Sequence, residues 1–267
     1  SLGAFAGSST VTGCHNISIG ANSGIALTTG NNNIGLGYRA VSNTTTSGHN
    51  VGLGYRALER NTTGAYNVAI GVEALRYNTT GCNNVAFGCK PLCKNTTGGR
   101  NVGIGRLALG NNTGGFDNIA IGYTALYKNA SAYGNIALGY SALRYATGGG
   151  NIAIGCNAIR NSCASVCNIS IGQCSLYSTN SGSFNIAVGF TALRTNSSGN
   201  CNIAIGHSAL RSSTIANNNI ALGTCALFNN TSGLNNIAVG YSALSNNTIG
   251  SNIAVSYTHL RAHETRE

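Results

Sequence analysis

The chain has 267 residues, and only 7% of them are charged, against about 25% in an average soluble domain. Hydrophobic residues make up 42%, which excludes an intrinsically disordered chain. Only five residues are acidic, and Glu264 and Glu267 lie in the last four positions, which argues against an enzyme built on paired carboxylates. No apolar stretch approaches the about 20 residues of a transmembrane helix, so we expect no membrane span.

A short pentad recurs along almost the whole chain. It reads Asn-(Ile/Val)-small-aliphatic-Gly and occurs fifteen times, from Asn16 to Asn252. Successive copies have a 17-residue spacing in twelve of fourteen intervals and a 16-residue spacing in the other two. The unit beginning at Asn67 reads NVAIGVEALRYNTTGCN, and we number its positions 1 to 17 from that Asn. A fixed short period is the signature of a solenoid.

Each repeat carries the signals of one solenoid coil. Positions 2 and 4 are aliphatic around a small residue, as in a strand, and an Ala-Leu pair at positions 8 and 9 offers a second apolar segment. Asn-Thr-Thr-Gly at positions 12 to 15 is turn chemistry. We therefore predict an all-β parallel β-solenoid (β-roll) of about 16 stacked coils over residues 1–255, with an atypical tail at 256–267.

The alternation also predicts which side chains face inward. If the aliphatic residues at positions 2 and 4 fill the core, position 3 points outward. That position is Ala, Gly or Ser in all fifteen copies, which indicates either close approach of another chain or a bend that tolerates no larger side chain. The Asn at position 1 predicts an amide ladder along the solenoid.

The acidic residues of the repeats test the period independently. Each is separated from an arginine by one full repeat, in the pairs Glu59 and Arg76, Arg56 and Glu73, and Arg100 and Asp117. Ladder ion pairs between stacked coils explain these carboxylates better than catalysis or calcium binding. We expect no metal site, no cofactor and no catalytic residue.

The pentads at Asn151 and Asn202, both reading NIAIG, resemble the head repeats of trimeric autotransporter adhesins of the YadA type. Similar repeats occur in phage and virus tail fibres. The resemblance covers about residues 1–255 and implies a left-handed β-roll, association of three chains, and a surface that binds host matrix or glycans. The familiar head repeat is shorter than the present unit, and no neck, stalk or anchor accompanies it here, so only the fold and an extracellular fibrous role carry over.

The corner Asn-Thr-Thr-Gly also matches the acceptor motif for N-linked glycans in secreted proteins. The same residues are favoured at a solenoid corner for conformational reasons alone, and crowding at about 5 Å per coil argues against full occupancy. Both interpretations stay open at this stage. The candidate acceptors are Asn43, Asn61, Asn78, Asn95, Asn111, Asn129, Asn196, Asn229, Asn230 and Asn246.

The ten cysteines show no zinc-finger spacing. Cys156 and Cys174 are separated by one repeat plus one position, so they lie nearly in register on neighbouring coils, and Cys89 and Cys93 lie four apart across a bend. A secreted chain could join each pair as a disulfide. The alternative is that several cysteines are small buried apolar residues.

The net charge of +10 comes largely from one row at position 10. This row could attract an acidic polysaccharide or lipopolysaccharide, or it could be a solvated stripe that prevents aggregation. Tyrosines at position 6 could stack on sugar rings or pack as a ladder. We expect no nucleic acid. The basic row contains Arg76, Arg144, Arg160, Arg194 and Arg211, and the tyrosines are Tyr38, Tyr55, Tyr123, Tyr140 and Tyr241.

The last segment, Tyr257 to Glu267, departs from the repeat and resembles sequencing-adapter read-through at the end of a metagenomic reading frame. With no initiator Met, the chain looks like a piece of a longer protein. We expect a structural segment of an extracellular fibre at a cell or virion surface, self-associated as a homotrimer or a head-to-tail filament. Alternatives are a carbohydrate-binding adhesin head and an ice-binding solenoid, which would need a flat Thr array.

Overall fold

A computed structural model describes residues 2–9 and 12–255 of the chain. It separates into two compact units, Ser1–Asn135 (unit 1) and Ile136–Glu267 (unit 2), and the predicted tail at 256–267 lies outside the described residues. Each unit is an all-β parallel solenoid with a 17-residue coil, as the repeat predicts. No helix occurs in the described ranges, so none there is long and apolar enough to cross a membrane.

One three-residue strand per coil forms the sheet of unit 1, at pentad positions 2 to 4. Neighbouring strands pair in parallel and in register, for example Val68 with Val85 and Ile70 with Phe87. Leu2 forms an isolated parallel bridge with Ile19, so residues before the first complete pentad also stack on the solenoid. The strands are β1 (Ile17–Ile19), β2 (Ile34–Leu36), β3 (Val51–Leu53), β4 (Val68–Ile70), β5 (Val85–Phe87), β6 (Val102–Ile104) and β7 (Ile119–Ile121).

Unit 2 repeats this sheet and adds a second, two-stranded one at the corner. Its pentad strands are β8 (Ile136–Leu138), β9 (Ile152–Ile154), β11 (Ile169–Ile171), β13 (Ile186–Val188), β14 (Ile203–Ile205), β15 (Ile220–Leu222), β16 (Ile237–Val239) and β17 (Ile253–Val255). The corner strands β10 (Asn161–Ser162) and β12 (Ser178–Thr179) pair in parallel. At both 16-residue intervals the strands remain in register, with Ile136 opposite Ile152 and Ile237 opposite Ile253.

Backbone hydrogen bonds join each coil to the coils before and after it. In the coil that starts at Asn67, Val68 N–H donates to Asn84 O at 2.8 Å in the next coil, while Gly71 N–H donates to Leu53 O at 2.7 Å in the previous one. Such bonding continues through the turns, where Tyr77 N–H donates to Cys93 O at 3.0 Å. The backbone is therefore satisfied along the loops as well as along the short strands.

The turns need left-handed backbone at residues other than glycine. Positions 7, 9 and 17 have positive φ, illustrated by Glu73 at 55°, Leu75 at 49° and Asn83 at 60°. Each non-glycine residue in this conformation costs about 1–2 kcal/mol relative to right-handed backbone. The hydrogen bonds to the coils on both sides offset this cost. Position 5 is more restrictive: Gly105 has φ of 118°, and an added Cβ would lie 2.8 Å from Gly122 O. This close approach explains the glycine that ends fourteen of the fifteen pentads.

The inward and outward sides of the strand are opposite to those predicted. The small residue at position 3 is the buried one, and the aliphatic residues on either side of it are exposed or half-buried. Ala204, for example, is 0% exposed, whereas its neighbour Ile205 is 43% exposed. The core is thus a column of Ala and Leu, and the predicted Ile/Val core is wrong.

The width of the coil explains this reversal. Leu at position 9 reaches across the interior toward the strand, and a Cβ added at Gly103 would already lie 3.2 Å from Leu92 Cγ. A Cβ added at Gly52 would lie 2.9 Å from Val41 Cγ1. Because the facing side chain fills the interior, only Ala, Gly or Ser fits at position 3. Strict smallness therefore reflects packing inside one chain and gives no evidence of close approach by another.

Two asparagine ladders complete the interior. The predicted ladder at position 1 is confirmed: Asn84 Nδ2 donates to Asn67 Oδ1 at 3.1 Å and to Gly98 O at 2.9 Å, and Asn84 N–H also donates to Asn67 Oδ1. A second ladder, unforeseen, runs along the corner at position 12 in unit 1. There Asn78 Nδ2 donates to Asn61 Oδ1 and Asn95 Nδ2 to Asn78 Oδ1, both at 2.7 Å.

Candidate functional site

The outward side chains of each sheet form a continuous apolar surface, which we call the aliphatic face. In unit 1 it comprises repeat positions 2 and 4, which are the first and last residues of each strand from β1 to β7. All of these residues are Ile, Val or Leu apart from Phe87. Exposed fractions reach 49% at Ile17 and 53% at Phe87. Unit 2 carries the same surface, with Ile171 at 40%. Contiguous apolar surfaces on this scale mark association sites in soluble proteins.

An ion-pair network in unit 1 surrounds the Glu59 carboxylate, whose side chain is only 8% exposed. Arg76 Nε lies 2.7 Å from Glu59 Oε2, at the predicted spacing of one repeat, and Arg39 Nη1 lies 3.3 Å from Glu59 Oε1. Burial by itself would raise the pKa of Glu59. The hydrogen bond and charge of Arg76, with the charge of Arg56, outweigh that effect and hold the pKa below its usual value.

The other two predicted pairs have different outcomes. Arg100 Nε lies 2.6 Å from Asp117 Oδ1, and this hydrogen bond lowers the pKa of Asp117, although both side chains are more than half exposed. Arg56 and Glu73 have other partners: Arg56 Nε lies 3.7 Å from Glu59 Oε1, and Glu73 contacts Arg76 at 3.1 Å and Lys90 at 3.3 Å. The charges of position 7 therefore pair with those of position 10 in a network.

Arginines at position 10 stack on aromatic rings in both units. In unit 1, Arg76 Cζ lies 4.7 Å from the centroid of the Tyr77 ring. In unit 2, Arg160 Nη1 donates to Tyr177 Oη at 2.7 Å, and Arg194 Cζ lies 5.6 Å from the centroid of the same ring. Cation–π contact and ring packing hold this row against the surface. We call Arg144, Arg160, Tyr177, Arg194, Arg211 and Phe228 the basic column.

Surface depressions flank position 10 in each unit, and only the one in unit 1 contains a carboxylate. That depression, about 250 Å³, contains the Glu73 carboxylate beside Arg76, Lys90 and Lys94. The one in unit 2, about 360 Å³, contains two arginines and no carboxylate. We call the latter the arginine basin; it is lined by Gln173, Cys174, Phe190, Thr191, Arg194, His207, Ser208 and Arg211.

Burial contradicts glycan attachment at six of the ten candidate asparagines. Their side chains lie inside the coil at 0% exposure, where Nδ2 donates to backbone carbonyls, as Asn61 does to Gly64 O at 2.8 Å. A sugar on such a nitrogen would break the hydrogen bonds and open the core. The six are Asn61, Asn78, Asn95, Asn129, Asn196 and Asn230. Glycosylation stays a prediction for Asn43, Asn111, Asn229 and Asn246, which are exposed or half-buried.

All ten cysteines are free thiols in the structure, so neither predicted disulfide is formed. Cys156 and Cys174 lie on adjacent coils, one residue out of register, and Cys174 N–H donates to Cys156 O at 3.0 Å. Cys93 is buried, and burial together with the Glu73 carboxylate raises the pKa of its thiol, which disfavours the reactive thiolate. Cys89, its predicted partner, is half-buried.

Within residues 2–9 and 12–255, no group of three or more His, Cys, Asp and Glu side chains lies close enough to hold a metal ion. The imidazole of His49 stacks on the ring of Tyr66, with centroids 4.8 Å apart. The outward features that can recognise a partner are therefore the aliphatic face, the basic column and the arginine basin.

No protein-family model, curated protein or solved structure matches this chain. The parallel solenoid with its 17-residue coil is compatible with the repeat heads of adhesins and fibres, and the fold is the extent of that agreement.

Proposed function

We propose that the chain is a structural repeat segment of an extracellular fibre, displayed at a cell or virion surface, whose coils associate with other copies of the chain. The observation that carries this proposal is the aliphatic face. Water-exposed rows of Ile, Val and Leu at every coil are unfavourable in an isolated chain and favourable when covered. The regular interior supports a mechanical role, since amide and backbone ladders tie each coil to the next.

A second copy of the chain is the occupant that fits this face best. Its aliphatic rows have the same 17-residue coil spacing, so contacts made at one coil recur at the next. The resemblance to trimeric adhesin heads favours a homotrimer over a head-to-tail filament. Relative to the prediction from sequence, the contact moves from position 3 to positions 2 and 4, because position 3 is buried.

Sedimentation of matched variants tests the proposal. Ile186→Lys with Val188→Lys places two charges on the aliphatic face, and we expect it to convert the assembly into monomers with unchanged far-ultraviolet circular dichroism. Ser181→Lys with Ser198→Lys adds the same charge at exposed corner positions and should leave the assembly intact. A wild-type chain that sediments as a monomer at micromolar concentration would refute self-association.

A carbohydrate-binding adhesin head is the second candidate function. The basic column favours it, because a row of arginines in contact with aromatic rings runs along one surface of unit 2. A panel of immobilised glycans tests it, with retention as the expected result. The ice-binding alternative has weaker support: Thr63, Thr80 and Thr97 form a single exposed column, while the adjacent Thr62 and Thr79 are half-buried and donate to carbonyls of the next coil. We expect no thermal hysteresis.

A further inference from the structure

The arginine basin of unit 2 presents two cations without a counter-ion. Arg194 and Arg211 occupy position 10 of adjacent coils, which are in register through β13 and β14. Coils stacked in register lie about 4.8 Å apart, so two positive charges share one small depression. Residues 136–255 contain no Asp and no Glu, so no carboxylate within the described part of unit 2 neutralises either arginine.

The depression in unit 1 also lies beside positions 7 and 10, and there it contains a carboxylate. There position 7 supplies Glu73, which lies 3.1 Å from Arg76 and 3.3 Å from Lys90. In the arginine basin the same position is Thr191 in one coil and Ser208 in the next. Both units thus place cations around a surface depression, but only unit 1 also supplies a carboxylate there.

The remaining walls of the basin suit a sugar. Phe190 is 48% exposed and stacks with the His207 imidazole, with centroids 5.3 Å apart and planes 18° from parallel, so the pair offers an apolar surface to a pyranose ring. The buried hydroxyls of Thr191 and Ser208 hydrogen-bond each other at 2.9 Å beside it. The exposed amide of Gln173 can exchange hydrogen bonds with sugar hydroxyls.

The basic column extends the site beyond one charge. Arg160 and Arg144 continue the row in the same unit, and Nε of each is buried without a hydrogen-bond partner. Tyr177 is enclosed between Arg160 and Arg194 and hydrogen-bonded to Arg160, so its ring is not available to stack on a base. A row of cations with a single exposed aromatic pair beside it fits a linear acidic glycan better than a single-stranded nucleic acid, whose successive bases need successive stacking surfaces.

We propose that the arginine basin binds sulfate or carboxylate groups of an acidic polysaccharide that lies along the basic column. The planar guanidinium groups of Arg194 and Arg211 suit bidentate contact with either oxyanion. This inference deepens the proposed extracellular role. It does not depend on self-association, because the basin lies within unit 2 of one chain and is separate from the outward positions 2 and 4.

Calorimetric titration of the full chain tests the proposal. The probes are a sulfated oligosaccharide, an oligogalacturonate, a neutral oligosaccharide of equal length and a single-stranded oligonucleotide, each at about 50 and 200 mM salt. We expect binding of one or both acidic oligosaccharides, weakened by salt because charges are neutralised. The two acidic probes distinguish sulfate from carboxylate as the group recognised. Sedimentation of the same samples measures self-association separately. The proposal of self-association and the proposal of glycan binding can therefore fail independently.

Three variants locate the site. Arg194→Gln with Arg211→Gln should weaken binding at least ten-fold. Arg60→Gln with Arg106→Gln removes the same charge from exposed positions of unit 1 and should change affinity less than two-fold. Thr191→Glu supplies the carboxylate that unit 1 has at position 7, where Glu73 adopts nearly the same φ, 55° against 53°, and it should also weaken binding at least ten-fold.

Four results would overturn the proposal. They are absence of binding to both acidic oligosaccharides, equal binding of the neutral one, equal losses in the two arginine double variants, and tighter oligonucleotide binding that depends on Arg194 and Arg211. The last result would make the basin a nucleic-acid site. Circular dichroism of each variant shows whether the solenoid is retained, and the salt dependence and the neutral oligosaccharide keep the test decisive if a variant is destabilised.

Discussion

Units 1 and 2 share an interior of Ala, Leu and pentad Asn but differ at the corner and along position 10. In unit 1 the corner residues Asn61, Asn78, Asn95, Asn112 and Asn129 form an unbroken amide ladder. In unit 2 the same position holds Ala146, Ser162, Thr179, Asn196, Ser213, Asn230 and Asn247. Asn196 Oδ1 and Ser213 Oγ there are buried without a hydrogen bond. The pentad and the Ala-Leu pair therefore suffice for the coil, and the corner can vary.

Charge follows the same division. Unit 1 pairs its half-buried arginine side chains with Glu59 and Glu73, whereas residues 136–255 of unit 2 contain no carboxylate. Ion pairing at position 10 is thus not required for stacking. In unit 2, where no carboxylate pairs with them, the half-buried arginines rest on aromatic rings, which leaves that surface available to an external anion.

Removing one corner asparagine from each unit should give the largest difference in stability cost between the two units. Asn95→Ala eliminates hydrogen bonds to Asn78 Oδ1, Gly98 O and Asn112 Nδ2, each 2.7–2.9 Å long, and should cost about 3 kcal/mol at about 1 kcal/mol per bond. Asn196→Ala loses one bond, to Gly199 O, and should cost about 1 kcal/mol. Hydrogen exchange of the neighbouring coils measures both. Equal costs would mean that the ladder adds nothing beyond single bonds.

The Glu59 network predicts an intermediate, pH-dependent effect. The pKa of Glu59 is lower in the folded chain than its ordinary value of 4.5. The contribution of this carboxylate to stability is therefore full above pH 4.5 and is lost as the pH falls through the folded-state pKa. We expect loss of about 1–2 kcal/mol between about pH 6 and pH 3, and a smaller loss in Glu59→Gln. Unfolding in guanidinium chloride at both pH values measures this loss of stability. An identical pH dependence in Glu59→Gln would contradict a stabilising role for the Glu59 network.

The smallest effect is expected at the exposed Arg100–Asp117 pair. Both side chains are more than half exposed, so solvent and salt screen their attraction. Asp117→Asn should leave the midpoint of unfolding in guanidinium chloride at about pH 6 unchanged within error. It therefore serves as the matched control for Glu59→Gln, and a comparable loss in both variants would show that burial of Glu59 has no special role.

The 17-residue period predicted the coil, the parallel register and the position 1 ladder, because each follows from stacking identical residues. It could not predict which side of the strand faces inward. Alternation shows which residues share a side, and hydrophobicity then favoured Ile and Val as core. The deciding quantity is interior volume, which Leu92 and its equivalents largely fill from the opposite segment. The available signal was that position 3 is never larger than Ala or Ser while position 9 is usually Leu.

The corner shows a second limit of sequence reasoning. Asn-Thr-Thr reads as an exposed glycan acceptor, yet Asn61 and Asn78 point inward and bond each other. Corner residues in a solenoid face either solvent or the axis, and a sequence motif does not distinguish them. The partners of Arg56 and Glu73 were missed for a related reason: side chains at positions 7 and 10 meet within one coil as well as between coils.

One pair of adjacent substitutions tests the inward-Ala, outward-Ile arrangement most directly. Ala204 is 0% exposed and Ile205 is 43% exposed in β14. Ala204→Asp buries an unpaired charge and should destabilise unit 2 by about 4 kcal/mol or more, whereas Ile205→Asp should keep the solenoid and weaken only self-association. Thermal unfolding followed by circular dichroism, with sedimentation of the folded fraction, measures both. Loss of the fold in Ile205→Asp with tolerance of Ala204→Asp would contradict the arrangement.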